Sequence, residues 1–162
     1  MEYAAEGIGK TEGITLAFIF DDLLPITGTG GNNMLFASDF FKWEITSLAP
    51  LFDGITYVWE VLERIDPWLA ERLECSPDTH KQGIIQAGAF VGENVILCPG
   101  SVVESGAYIK GPAYVGGQSV IRHGAYLREG SVVGEHCVVG HASEVKASIL
   151  LDGSSAPHFN YV

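Results

Sequence analysis

Residues 82–162 read QGIIQAGAFVGENVILCPGSVVESGAYIKGPAYVGGQSVIRHGAYLREGSVVGEHCVVGHASEVKASILLDGSSAPHFNYV, and their reading decides the fold. An aliphatic residue recurs every six positions from Ile85 through Val91, Leu97 and Val103 to Val145 and Leu151, twelve in succession. Four residues after each comes a mostly small side chain, such as Ala89, Ser101, Ala113, Ser131 and Cys137. Glycine falls one or three places after the aliphatic, as at Gly92, Gly116, Gly106 and Gly130. A period of six is neither the 3.6 of a helix nor the 2.0 of a strand. Short perfect repeats mark a solenoid, in which no unit buries its apolar face without its neighbours. Each hexad supplies one short strand and one corner, three hexads close a triangular coil, and the twelve make about four coils. The expectation is a mainly β protein, a parallel β-helix over 82–162, with its aliphatics inside and its glycines at the bends.

Register turns the repeat into columns. Residues 18 apart stand one rung above another, about 4.8 Å away. The position after the inward aliphatic on one side reads Gly92, Lys110, Arg128, Lys146, so three of the four basic residues of this half form one ladder. Stacked cations repel, and two arrangements relieve them: pairing with Glu129 and Glu144, or a bound phosphate. Lysine and arginine suit phosphate as permanent donors, and arginine can bind two of its oxygens at once. His123 and His141 also share a column, while His158 stands near the end of the chain in PHFNYV. Apolar residues that precede the inward aliphatics, namely Tyr108, Tyr114, Val120, Tyr126, Val132 and Val138, point outward and predict a packed interface in a homotrimer.

Residues 1–81 read differently. They hold 14 of the 20 acidic side chains and 5 of the 9 basic ones. Residues 14–20 (ITLAFIF) suggest a strand, residues 27–33 (TGTGGNN) a loop, and Ser38-Asp39 a helix cap. Thr56 to Glu74 carries helical spacing at Val58, Leu62, Ile65, Leu69 and Leu73. Asp66-Pro67 within it suggests an N-cap followed by proline at the first helical position, hence two short helices meeting there. This 1–81 appendage is expected to cap the solenoid, because an open coil exposes strand edges. The string AAEGIGKT (4–11) fits a loose P-loop pattern but lacks the preceding buried strand that aims such a loop at phosphate. It is not taken as a nucleotide site.

The chain's formal net charge of −11 argues against nucleic-acid binding and against docking on anionic membrane, both of which need a basic surface. The apolar run at 14–20 is too short to span a bilayer and has no basic flank. Three cysteines without a CxxC pair suggest a reducing, cytoplasmic setting rather than a disulfide framework.

The hexad pattern resembles that of left-handed parallel β-helix proteins. The strings GPAYVG (111–116), LREG (127–130), EVK (144–146) and SILLDGSSAPHFNYV (148–162) resemble the acetyltransferase half of the bifunctional N-acetylglucosamine-1-phosphate uridyltransferases and their sugar-nucleotidyltransferase relatives. The resemblance implies acetyl-coenzyme A as co-substrate, with no metal, and a phosphorylated or UDP-linked amino sugar as acceptor. It implies that Arg128 and Lys146 hold the sugar-linked phosphate, with Lys110 assisting one rung below. It further implies that His158 is the general base and that Tyr161 contacts the sugar. The nucleotidyltransferase half is missing from this sequence, and in the family further coils follow the position of Val162, so the β-helix is expected to be incomplete there. A non-catalytic sugar-nucleotide-binding or scaffold role is the alternative. A third reading takes HCVVGH (136–141), which resembles paired metal ligands of γ-class carbonic anhydrases, although Gly100 stands where that family's third histidine is expected.

Overall fold

The computed structural model describes residues 46–75 and 80–162, together with two short strands, β1 (Lys10–Thr11) and β2 (Ile14–Thr15), which pair antiparallel. The expected loop at 27–33 and cap at 38–39 lie outside the described residues, as do residues 16–20 and most of the P-loop-like string.

From residue 84 the chain winds through three parallel sheets, one strand per sheet per coil. The first face stacks β3 (Ile84–Ile85), β6 (Val102–Val103), β9 (Val120–Ile121), β12 (Val138–His141) and β15 (Ser155–His158). The second stacks β4 (Phe90–Val91), β7 (Tyr108–Ile109), β10 (Tyr126–Leu127) and β13 (Glu144–Val145). The third stacks β5 (Val95–Leu97), β8 (Ala113–Val115), β11 (Ser131–Val133) and β14 (Ile149–Leu150). The protein is thus a mainly β parallel solenoid of about four coils, as the hexads predict. Val103, Ile109, Val115, Ile121, Leu127 and Val133 are fully buried in one core. The small positions fill the corners. Buried Ser101, Ser119 and Ser131 each donate to a backbone carbonyl, of Cys98, Gly134 and Arg128 respectively, so no hydroxyl among them is stranded.

Pairing runs 18 residues apart until the last coil, where it contracts to 17: Ile149 pairs with Val132, Ser155 with Val138, and Tyr161 with Glu144. The place of the lost residue shows in the backbone. Left-handed corner residues recur six apart at Gly124, Gly130, His136 and Ala142, but the next is Ala147, five later. The inward slot therefore belongs to Leu150 and then Ala156, not to Leu151 and Pro157 as an unbroken hexad count requires. Leu151 turns to the outer cluster instead.

The segment before the solenoid forms a 3-10 turn at Ala49–Phe52, a second 3-10 stretch at Val58–Arg64, and α1 (Ile65–Cys75). Two short helices do meet near Asp66-Pro67, but the junction is at Arg64 and Ile65. Asp66 and Pro67 sit inside the first turn of α1, where proline's missing N–H has no intrahelical acceptor to lose. The described part of this segment lies along the outside of the third face, where Leu48, Phe52, Val61 and Leu69 pack on the outward Val132 and Ile149 and on Leu151. Trp68 meets Tyr114 edge-on at 5.1 Å, and the Arg72 guanidinium stands 3.7 Å over the Trp68 ring. The physical reason is register: Tyr114, Val132 and Ile149 make a continuous apolar stripe whose burial is worth about 1.5–3 kcal/mol per large side chain. Asp152 pins the seam, accepting from the backbone N–H and hydroxyl of Ser47 and from the backbone N–H of Glu135.

Candidate functional site

The basic ladder exists as register requires. Lys110, Arg128 and Lys146 each follow the inward residue of β7, β10 and β13, and their backbones are bonded rung to rung: Lys110 N–H to the Leu127 carbonyl, Arg128 N–H to that of Val145, and Lys146 N–H to that of Val162. All three sit at the corner that closes the second face. Carboxylates answer two of them. Glu129 lies 2.5 Å from the Lys110 ammonium, and Glu144 lies 3.1 Å from the Arg128 guanidinium. The hydrogen bond from Lys110 holds the Glu129 carboxyl below the usual carboxylate range, and Glu129 in turn raises Lys110. Glu144 raises Arg128 in the same way. Lys146 makes no ion pair with a described residue. The direction of the pairing explains this: Glu129 and Glu144 each reach down to the cation of the rung below, and above Lys146 the place that corresponds to Glu144 is held by Tyr161.

Tyr161 stands in the second face directly above Glu144, exposed at 64%. His158 ends β15, paired with His141, at the corner where the chain turns from the first face into the second. It is exposed, and its carbonyl accepts from the Asn160 side-chain amide at 3.0 Å. The top three rungs of the second face thus gather Arg128, Lys146 and Tyr161, one on each, with His158 at the leading corner and Lys110 one rung lower. No described side chain is bonded to the His158 ring.

Below Tyr161 and Glu144 runs an aromatic column that the six-residue reading had only in part. Phe90 stacks on Tyr108 at 4.2 Å, and Tyr108 meets Tyr126 edge-on at 5.4 Å. Phe90 was missed, although its place 18 before Tyr108 was the available signal. Of the six outward apolar residues expected at an interface, Tyr114 and Val132 are covered by the chain's own helical segment. Tyr108 and Tyr126 on the second face, and Val120 and Val138 on the first, are left uncovered by it.

The histidines divide. His123 and His141 stack with parallel rings 5.6 Å apart, and each Nδ1 lies against the carbonyl of the rung below, Ser105 at 2.6 Å and His123 at 2.8 Å. His136 is at the other corner of the first face, at the far end of the strand from His141, so the HCVVGH spacing does not bring its two rings together. Among the described residues no group of three or more His, Cys, Asp or Glu side chains is placed to hold a metal. No described helix is long and apolar enough to cross a membrane. No protein-family model matches the chain and no curated protein matches it, so the acetyltransferase resemblance rests on the quoted strings and on the columns they form.

Proposed function

We propose that the upper rungs of the second face bind the phosphate of a phosphorylated or UDP-linked amino sugar, and that the protein is an acyltransferase of the left-handed hexapeptide type. The observation that carries this reading is the convergence of Arg128, Lys146 and Tyr161 on three successive rungs of one face, with His158 at its edge. Arg128 and Lys146 supply donors to phosphate oxygens, Lys110 assists from below, and Tyr161 offers a ring and hydroxyl to the sugar. With acetyl-coenzyme A as co-substrate, the sugar amine attacks the thioester carbonyl, His158 accepts the amine proton, and the carbon–sulfur bond breaks to release the coenzyme thiolate. A homotrimer in which the uncovered columns of the first and second faces pack on neighbouring copies completes the proposal.

Calorimetric titration with glucosamine 1-phosphate tests the site. Arg128→Ala is expected to weaken binding about ten- to a hundredfold, as loss of a charge-assisted contact does. His158→Ala should leave affinity nearly unchanged, because the base acts on the amine. In an assay of coenzyme thiol release the same change should cost about two to four orders of magnitude in rate. Equal affinity of wild type and Arg128→Ala would remove the site. A second reading, a non-catalytic sugar-phosphate-binding or scaffold protein, is favoured by the His158 ring, which meets Phe159 edge-on at 5.8 Å but is hydrogen-bonded by no described side chain. Phosphate binding without any thiol release would select it.

A further inference from the structure

The ladder carries its own anions, and their positions decide which ligand it can accept. Lys110 and Arg128 are paired with Glu129 and Glu144, each reaching down from the rung above, while Lys146, which has Tyr161 in the corresponding place above it, makes no ion pair with a described residue. We infer that Glu129 and Glu144 are specificity-determining residues of the phosphate site, acting as built-in competitors that a monoanion cannot displace and a phosphate dianion can. This rests on the phosphate-binding reading above.

The argument is one of charge. The five side chains Lys110, Arg128, Lys146, Glu129 and Glu144 sum to a single positive charge. A monoanion satisfies Lys146 and gains nothing by entering further, because each carboxylate it displaces loses its cation. A phosphate monoester carries between 1.5 and 2 negative charges near neutrality. It can hold Lys146 and Arg128 on adjacent rungs together, about 4.8 Å apart along the solenoid, so that only Glu144 must turn away. That carboxylate is a third exposed and at the rim, where water takes it up at little cost. Glu129 bridges toward both Lys110 and Arg128, the latter at 4.0 Å, and so opposes entry to the lower rung. Bound phosphate is thereby confined to the two rungs directly beneath Tyr161.

The test uses methyl phosphate and methyl sulfate, which share a shape and differ in charge, titrated into the 15N-labelled protein and followed at the Arg128 and Lys146 amides. The wild type should prefer methyl phosphate. Glu144→Gln should tighten methyl sulfate about two- to fivefold, the scale of an exposed ion pair, and the double variant Glu129→Gln/Glu144→Gln should lose most of the preference. Both changed side chains are partly exposed, and matching spectra elsewhere in the chain confirm the fold. If wild type binds methyl phosphate and the double variant keeps the full preference, the competitor role is wrong and the phosphate site stands. If neither anion moves these amides in any variant, the phosphate site falls and the competitor role with it.

Discussion

Val132 and Val120 occupy the same position of the hexad, one before the inward aliphatic, and the repeat alone assigns both to the outside. The structure separates them. Val132 is fully buried beneath the helical segment, whereas Val120 on the first face is only partly covered. Replacing each by asparagine keeps the volume close to that of valine, so no large cavity enters the comparison. At Val132 the change forfeits about 1.5–3 kcal/mol of apolar burial and leaves a carboxamide without partners, about 1–3 kcal/mol more. A total of about 2.5–6 kcal/mol is expected, against less than about 1 kcal/mol at Val120. With a urea dependence of about 2 kcal/mol per molar, the Val132→Asn midpoint should fall by about 2 M and that of Val120→Asn by under 0.5 M. Trp68 is buried edge-on against Tyr114, so its emission follows undocking of that segment, and far-ultraviolet circular dichroism follows the solenoid. Runs at two protein concentrations separate any effect of Val120 on self-association. Equal shifts for the two variants would refute the packing of residues 46–75 on the third face.

Sedimentation equilibrium at micromolar concentration should give three chains per particle, and a monomer would rule out the proposed use of the two uncovered faces. Iodoacetamide at pH 8 should modify exposed Cys75 first, and Cys137, whose thiol burial pushes up to about 11, at least a hundredfold more slowly; comparable rates would mean that the core opens there. Glu60 accepts the backbone N–H groups of Tyr57 and Thr56 at the start of the second 3-10 stretch, which holds its carboxyl below the ordinary 4.5. Its folded value is depressed, so the stability advantage over Glu60→Gln should be full above pH 4.5 and vanish as pH falls through the folded value. An advantage that grows on acidification in urea titrations would contradict that contact.

The parallel solenoid, its period, its coil number, its inward aliphatics and the stacking of Lys110, Arg128 and Lys146 were all legible in the sequence. The reason is that a period-six chain has one economical way to bury every sixth side chain, and a fixed rung spacing then converts sequence distance into spatial columns. Three matters were decided only in three dimensions. The one-residue contraction after β13 is invisible to a count, because Leu150 and Leu151 are both aliphatic and either can fill the slot; hydrogen-bond register chose Leu150. The docking of residues 46–75 on a side face needed the apolar stripe of Tyr114, Val132 and Ile149 to be assembled from strands 17 or 18 residues apart before a helix could find it. The choice between a bare cationic ladder and a paired one turned on side-chain geometry across rungs. Glu129 reaches down to Lys110 and Glu144 reaches down to Arg128, whereas above Lys146 the place that corresponds to Glu144 is held by Tyr161.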